Sequence, residues 1–188
     1  MTELQERARK VALLVLDVDG VLTDGSLYYG PDGEVMKRFD VKDGHGLVIL
    51  RHLGIPSAIL TARSSKIVET RMRELGVPHI IQGARDKDAG LEKILAAAGV
   101  TREQVAYIGD DVNDLPVLTR VGFSASRADA RPEVRASVDY VCKAQGGHGA
   151  VRELVELILH AQGRWNEALA IHARHAADTA ASADSKRP

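Results

Sequence analysis

Short, largely apolar runs that break off at polar or glycine-bearing loops recur along this chain, and they constrain its fold more than any other feature. Residues 11–16 are continuously aliphatic and end at Asp17, 57–60 end at Thr61, 79–81 lead to Gly83, and 105–108 end at Gly109-Asp110. Runs apolar on both faces suit central strands of a parallel sheet covered by helices. Helical periodicity over about 44–53, 64–75 and 86–98 separates them. Such βαβ alternation predicts right-handed crossovers, with ligands bound outside the carboxyl ends of the strands. Shorter strands are expected near 122–124 and 140–141. An amphipathic helix is expected over 149–160, with Val151, Leu154, Val155, Ile158 and Leu159 on one face.

One segment interrupts the alternation. Two β-prone stretches, 26–29 and 34–39, flank Gly30-Pro31-Asp32-Gly33, a turn signal that predicts a hairpin within 25–40. The expected fold class is therefore α/β: a three-layer, Rossmann-like parallel sheet with helices on both faces and a small β-hairpin. A length of 188 residues, 45% of them hydrophobic, suits one domain, assigned to 1–163. Residues 164–188 are expected to form a short helix anchored by Trp165, Leu169 and Ile171, then a frayed tail.

Charge narrows the partners. The formal net charge is -1 and the charges are interspersed, unlike the basic footprint of a nucleic-acid binder, so a small solute is the expected partner. Cys142 is the single cysteine, which excludes an internal disulfide or multi-cysteine zinc site and suits a buried structural role in a reducing compartment. The first ten residues lack an apolar signal core, and no run approaches the ~20 apolar residues of a membrane span. No membrane partner and a cytoplasmic location are expected.

The strongest chemical signal is Asp17-Val18-Asp19-Gly20-Val21-Leu22-Thr23, two carboxylates at the end of a buried strand. A divalent cation such as Mg²⁺ would compensate them, and a solvated Asx turn is the structural alternative. Gly109-Asp110-Asp111-Val112-Asn113-Asp114 could alone be a helix cap. In an open parallel sheet, however, Asp17 and Asp110 converge on one crevice and can share an ion. Thr61 can donate its hydroxyl to a phosphoryl oxygen beside the Ala62 N–H, or serve as an N-cap. Lys87 begins a helix, a poor place for a cation unless it meets an anion; pairing with Asp86 or Asp88 is the alternative.

These elements, in this order, resemble the haloacid-dehalogenase superfamily of phosphotransferases over about residues 11–160. The resemblance implies Asp17 as nucleophile and metal ligand, and Asp19 as general acid/base whose backbone carbonyl also binds Mg²⁺. It makes Asp110 the third protein ligand and Thr61, Ala62 and Lys87 the phosphate-binding groups. Asp114, with Asp111 beside it, would hold metal-bound water or Lys87. There is no room for a cap domain between Asp19 and Thr61 or between Thr61 and Lys87. With Asp24-Gly25, Tyr28-Tyr29, Asp40-Val41-Lys42-Asp43-Gly44 and Gly146-Gly147-His148-Gly149, this resembles the capless subgroup that hydrolyses sugar-acid phosphates. The resemblance implies a homotetramer assembled through the hairpins, with a neighbour covering each site. It implies 3-deoxy-D-manno-octulosonate 8-phosphate as substrate, in lipopolysaccharide precursor synthesis.

A nine-carbon sugar-acid 9-phosphate is the alternative substrate, and Arg63 favours the eight-carbon acid because a guanidinium suits its carboxylate. An exposed helical arginine is the bland reading of the same residue. Arg152 is a further candidate for substrate binding, in a glycine-rich stretch that could equally be a flexible helix entry. Ala62 and His148 stand where the subgroup shows Gly and Lys. A catalytically silent oligomerisation module of the same fold is the alternative from another functional class.

Overall fold

The computed structural model describes residues 2–171, so the tail expected beyond them lies outside the described residues. In chain order the elements are α1 (Glu3–Arg9), β1 (Leu13–Leu16), β2 (Tyr28–Gly30), β3 (Gly33–Met36), α2 (Val41–His52), β4 (Ser57–Leu60) and α3 (Lys66–Leu75). There follow β5 (His79–Ile81), α4 (Lys87–Ala98), β6 (Val105–Gly109), α5 (Leu115–Leu118), β7 (Phe123–Ser126), α6 (Pro132–Arg135), β8 (Tyr140–Val141) and α7 (Ala150–Ala161). Residues 165–171 are helical.

Six strands pair in parallel in the order β5-β4-β1-β6-β7-β8. The chain builds outward from β1 on one side through β4 and β5, then crosses to β6 and builds outward on the other. The switch point thus lies at β1, where a crevice opens beyond the strand ends. Leu16 stands opposite both Ile59 and Ile108, so Asp17, Thr61 and Asp110 leave the sheet at the same edge.

Alternate residues of each strand feed opposite layers. Leu14 and Leu16 join Leu47 and Leu50 of α2, Met72 of α3 and Leu154 and Ile158 of α7 in one core. Leu13 and Val15 face Leu91 and Ile94 of α4, Val117 of α5 and Val134 of α6 in the other. Each fully buried leucine contributes about 1.5–3 kcal/mol, so the two cores hold the strand ends as a rigid platform. The short helix α1 is an addition to the sequence-based expectation. Thr2 and Gln5 form a capping box at its start, and Ala8 joins the core that α7 lines.

The hairpin forms as expected, a separate antiparallel pair with Tyr29 opposite Glu34 and Gly33 at φ 114° in the turn. An isolated bridge between Thr23 and Phe39 fastens its base to the loop after β1. Leu27, Tyr29, Val35 and Met36 on this hairpin are exposed. No helix among the described residues is long and apolar enough to cross a membrane.

Candidate active site

The loop after β1 folds back at once. Val18 O accepts the N–H groups of Val21, Leu22 and Thr23 at 3.1, 2.9 and 3.1 Å, and Gly20 takes φ 89°, a conformation open to glycine. Buried Thr23 accepts the Gly20 N–H at 3.2 Å. Asp17 is thereby fixed at the strand end, its Oδ1 accepting the Val18 N–H at 2.7 Å.

Lys87 begins α4, whose N-cap Asp86 accepts the Ala89 N–H at 3.0 Å. Its buried Nζ lies 2.9 Å from Asp17 Oδ2 and donates to Asp114 Oδ1 at 2.5 Å. The fully buried Tyr107 hydroxyl donates to the same Asp114 oxygen at 2.5 Å. Asp114 Oδ2 accepts the N–H groups of Asp110 and Asp111 at 3.0 and 3.2 Å. Asp114 is therefore engaged on both oxygens and orients Lys87 and the β6 end.

Burial pushes the Asp17 carboxyl up to about 6, with Asp114 adding to the rise and Lys87 opposing it. Burial would pull Lys87 down, but Asp17 and Asp114 hold it protonated and above its ordinary value. Asp110 is raised by burial against the opposing effect of Arg127, whose guanidinium donates to Asp110 Oδ2 at 2.8 Å.

Gly109 makes this packing possible. A Cβ there would stand 2.5 Å from Asp114 Cγ and 2.7 Å from its Oδ2, with Asp114 fully buried and unable to yield cheaply. Gly109→Ala is expected to cost about 1–3 kcal/mol of stability by overpacking. It should also lower turnover by displacing Asp114 and hence Lys87. Thermal melting and kcat measured on the same variant check this, and a normal kcat would show that Asp114 placement is dispensable.

The donor set fits a hard cation. One carboxylate oxygen each from Asp17, Asp110 and Asp114 lie within 4.8 Å of one another, and oxygen donors suit Mg²⁺. Since Asp114 already accepts from Lys87, Tyr107 and two amides, Asp17 and Asp110 are the carboxylates that could hold it. The Asp19 carboxylate lies apart from that group, in an unforeseen network: Lys37, its side chain fully buried, bonds Asp19 Oδ1 and sits 2.9 Å from Glu34 Oε1. Arg63 Nε lies 3.3 Å from Asp19 Oδ2, and its NH2 donates to Tyr29 Oη at 2.8 Å. Ser65 Oγ donates to Glu34 Oε2.

Thr61 is buried at the β4 end and Ala62 is exposed beside it. Two candidates stand elsewhere. Asp111 is exposed and caps the turn after it, accepting the Val112 N–H at 2.7 Å, so it does not hold Lys87. Arg152 is engaged away from its own crevice. Its Nε donates to Glu156 at 2.6 Å, its NH1 meets His45 Nδ1 at 3.1 Å and the guanidinium covers the Trp165 ring, so its charge is spent on the α2 and α7 side. Gly146 and Gly147 pack against this chain's own loop after β1, with the Gly147 N–H donating to Val21 O at 3.0 Å.

Residues 58–154 match the family model for haloacid dehalogenase-like hydrolase. This chain belongs to the haloacid dehalogenase-like hydrolases. Within that family it is 44% identical over 162 residues to 3-deoxy-D-manno-octulosonate 8-phosphate phosphatase of Escherichia coli strain K12, covering 86% of each chain. The solved Moraxella catarrhalis enzyme of the same name, in complex with a magnesium ion, a phosphate ion and KDO, has a TM-score of 0.88 and 42% identity; 92% of this chain and 99% of that one are covered. The cobalt-bound Haemophilus influenzae deoxy-D-mannose-octulosonate 8-phosphate phosphatase matches with a TM-score of 0.82 and 42% identity, covering 84% of this chain and 92% of that one.

Proposed function

We propose that this chain is a Mg²⁺-dependent phosphomonoesterase of the cytoplasm, converting 3-deoxy-D-manno-octulosonate 8-phosphate to the free sugar acid and phosphate in lipopolysaccharide precursor synthesis. The carrying observation is the buried Asp17 carboxylate at the switch point, 2.9 Å from Lys87 and grouped with Asp110. Asp17 attacks phosphorus as the ester P–O bond breaks, and Asp19 protonates the departing sugar oxygen. Asp19 then takes a proton from water, whose oxygen bonds to phosphorus as the Asp17–phosphoryl bond breaks. Thr61, the Ala62 N–H and Lys87 bind the phosphoryl oxygens. Bound Mg²⁺ supplies neutralisation of phosphoryl charge.

Arg63 recognises the substrate carboxylate, a role supported by its half-exposed place between Asp19 and the hairpin tyrosine. Arg63→Ala is expected to cost about 1.5–3 kcal/mol of transition-state binding on an acidic sugar phosphate and far less on an aryl phosphate. Equal losses in kcat/KM on both would remove the recognition role. Four copies associate through the exposed Leu27, Tyr29, Val35 and Met36 of the hairpin, and sedimentation would reveal the tetramer.

Phosphate release in the presence and absence of Mg²⁺, over eight-carbon and nine-carbon sugar-acid phosphates and neutral sugar phosphates, tests the assignment. The expected result is metal-dependent release fastest with the eight-carbon acid. Preference for the nine-carbon acid would overturn the substrate, and no release from any would point to a silent module.

A further inference from the structure

We propose that Arg127 is a positioning residue of the metal centre, clamping one oxygen of Asp110 so that the other is presented to the cation, and thereby raising cation affinity. This rests on the reading of Asp110 as a metal ligand. Arg127 follows β7 directly, one strand out from the strand that carries Asp110. Its NH2 donates to Asp110 Oδ2 at 2.8 Å, and its NH1 lies 2.6 Å from Asp129 Oδ2. Asp129 in turn accepts the Gly146 N–H at 3.2 Å through its other oxygen. These links join the β6 end to the glycine segment that packs on the loop carrying Asp17 and Asp19.

Three features favour a clamp over a competitor for the cation. The Arg127 charge is matched by Asp129, so the pair adds little net repulsion against an incoming cation. A Cβ on Gly20 would strike Asp110 Oδ2 and come within 3.1 Å of Arg127 NH2, so loop and clamp are closely fitted together. A guanidinium stays protonated and presents its donors in a rigid fork, which fixes the plane of a carboxylate as an ammonium does not. Carboxylates that bind metals are themselves commonly held by such outer hydrogen bonds, and losing one typically costs about 10–100-fold in metal affinity.

The test is calorimetric Mg²⁺ binding to the metal-free full chain, for wild type, Arg127→Met, Arg127→Lys, Asp129→Asn and Asp110→Asn, with thermal melting of each metal-free protein alongside. Arg127→Met should weaken Mg²⁺ binding about 10–100-fold, with partial recovery in Arg127→Lys. Asp129→Asn, which keeps Arg127 but loosens its outer anchor, should weaken binding several-fold and serves if Arg127→Met does not fold. Unchanged or tighter Mg²⁺ binding in Arg127→Met, or in Asp129→Asn if Arg127→Met is unfolded, overturns the proposal. Wild-type affinity in Asp110→Asn overturns the underlying ligand reading instead, so the two failures are distinguishable.

Discussion

Asp17→Asn is expected to abolish phosphate release, with a loss on the order of 10⁴–10⁶-fold, because it removes the proposed nucleophile and a metal ligand at nearly constant volume. The fold should survive and, without metal, should become firmer. Burial lifts the Asp17 carboxyl from its ordinary 3.8 to about 6, so its ionised form opposes folding. That cost is absent below pH 3.8, grows as pH rises and is fully present above about 6. Asparagine never ionises. Metal-free Asp17→Asn should therefore melt above wild type at neutral pH, with the gap closing as pH falls through that window. Added Mg²⁺ should raise the wild-type melting temperature and leave the variant nearly unmoved. Retained turnover would exclude Asp17 as nucleophile, and a variant that melts below metal-free wild type would exclude the destabilising buried charge.

Lys87→Met should damage stability and chemistry together. Two buried carboxylates, Asp17 and Asp114, face its ammonium, and deleting one partner of a buried ion pair leaves uncompensated charge at a cost of about 3–5 kcal/mol. For a chain of this size that lowers the melting temperature by roughly 10 °C. Turnover should fall about 10²–10³-fold, as when a fixed donor to a developing charge is removed. Calorimetric melting and steady-state kinetics on the same preparation separate the two losses. A variant that melts like wild type would mean that the lysine is not compensating these carboxylates in solution.

Residues 13–16 and 105–109 were legible as strands because a strand covered on both faces is nearly all apolar, so the run itself marks the element and its end marks the crevice. Asp17, Asp110, Thr61 and Lys87 could be read for the same reason: each lies at the boundary of an apolar or helical pattern. Lys37 and Arg127 could not. The site carboxylates they meet, Asp19 and Asp110, lie 18 and 17 residues away, across loops whose course no local periodicity fixes. Tyr107 sits inside an apolar run, where its ring satisfies the pattern and its hydroxyl gives no separate signal. Arg152 could not be placed for a related reason. The glycines before it mark a close backbone approach, but only the packing of α2 against α7 shows which way the guanidinium turns. The first helix carries a signal in the Thr2 and Gln5 capping box, but seven residues offer too little periodicity to stand out.

The division of labour between platform and hairpin has a consequence for how such an enzyme can change. Asp17, Lys87, Asp110 and Asp114 are locked into the sheet and its cores, where any substitution alters the balance of buried charge. Tyr29 and Arg63 stand on a surface hairpin and a half-exposed loop, where substitutions usually shift stability by no more than about 0.5 kcal/mol. Change at Arg63 reaches the reaction centre only through its contact with Asp19. Under the proposed recognition role of Arg63, new sugar preferences can arise, or be selected in the laboratory, by changes at Tyr29 and Arg63 over a fixed scaffold.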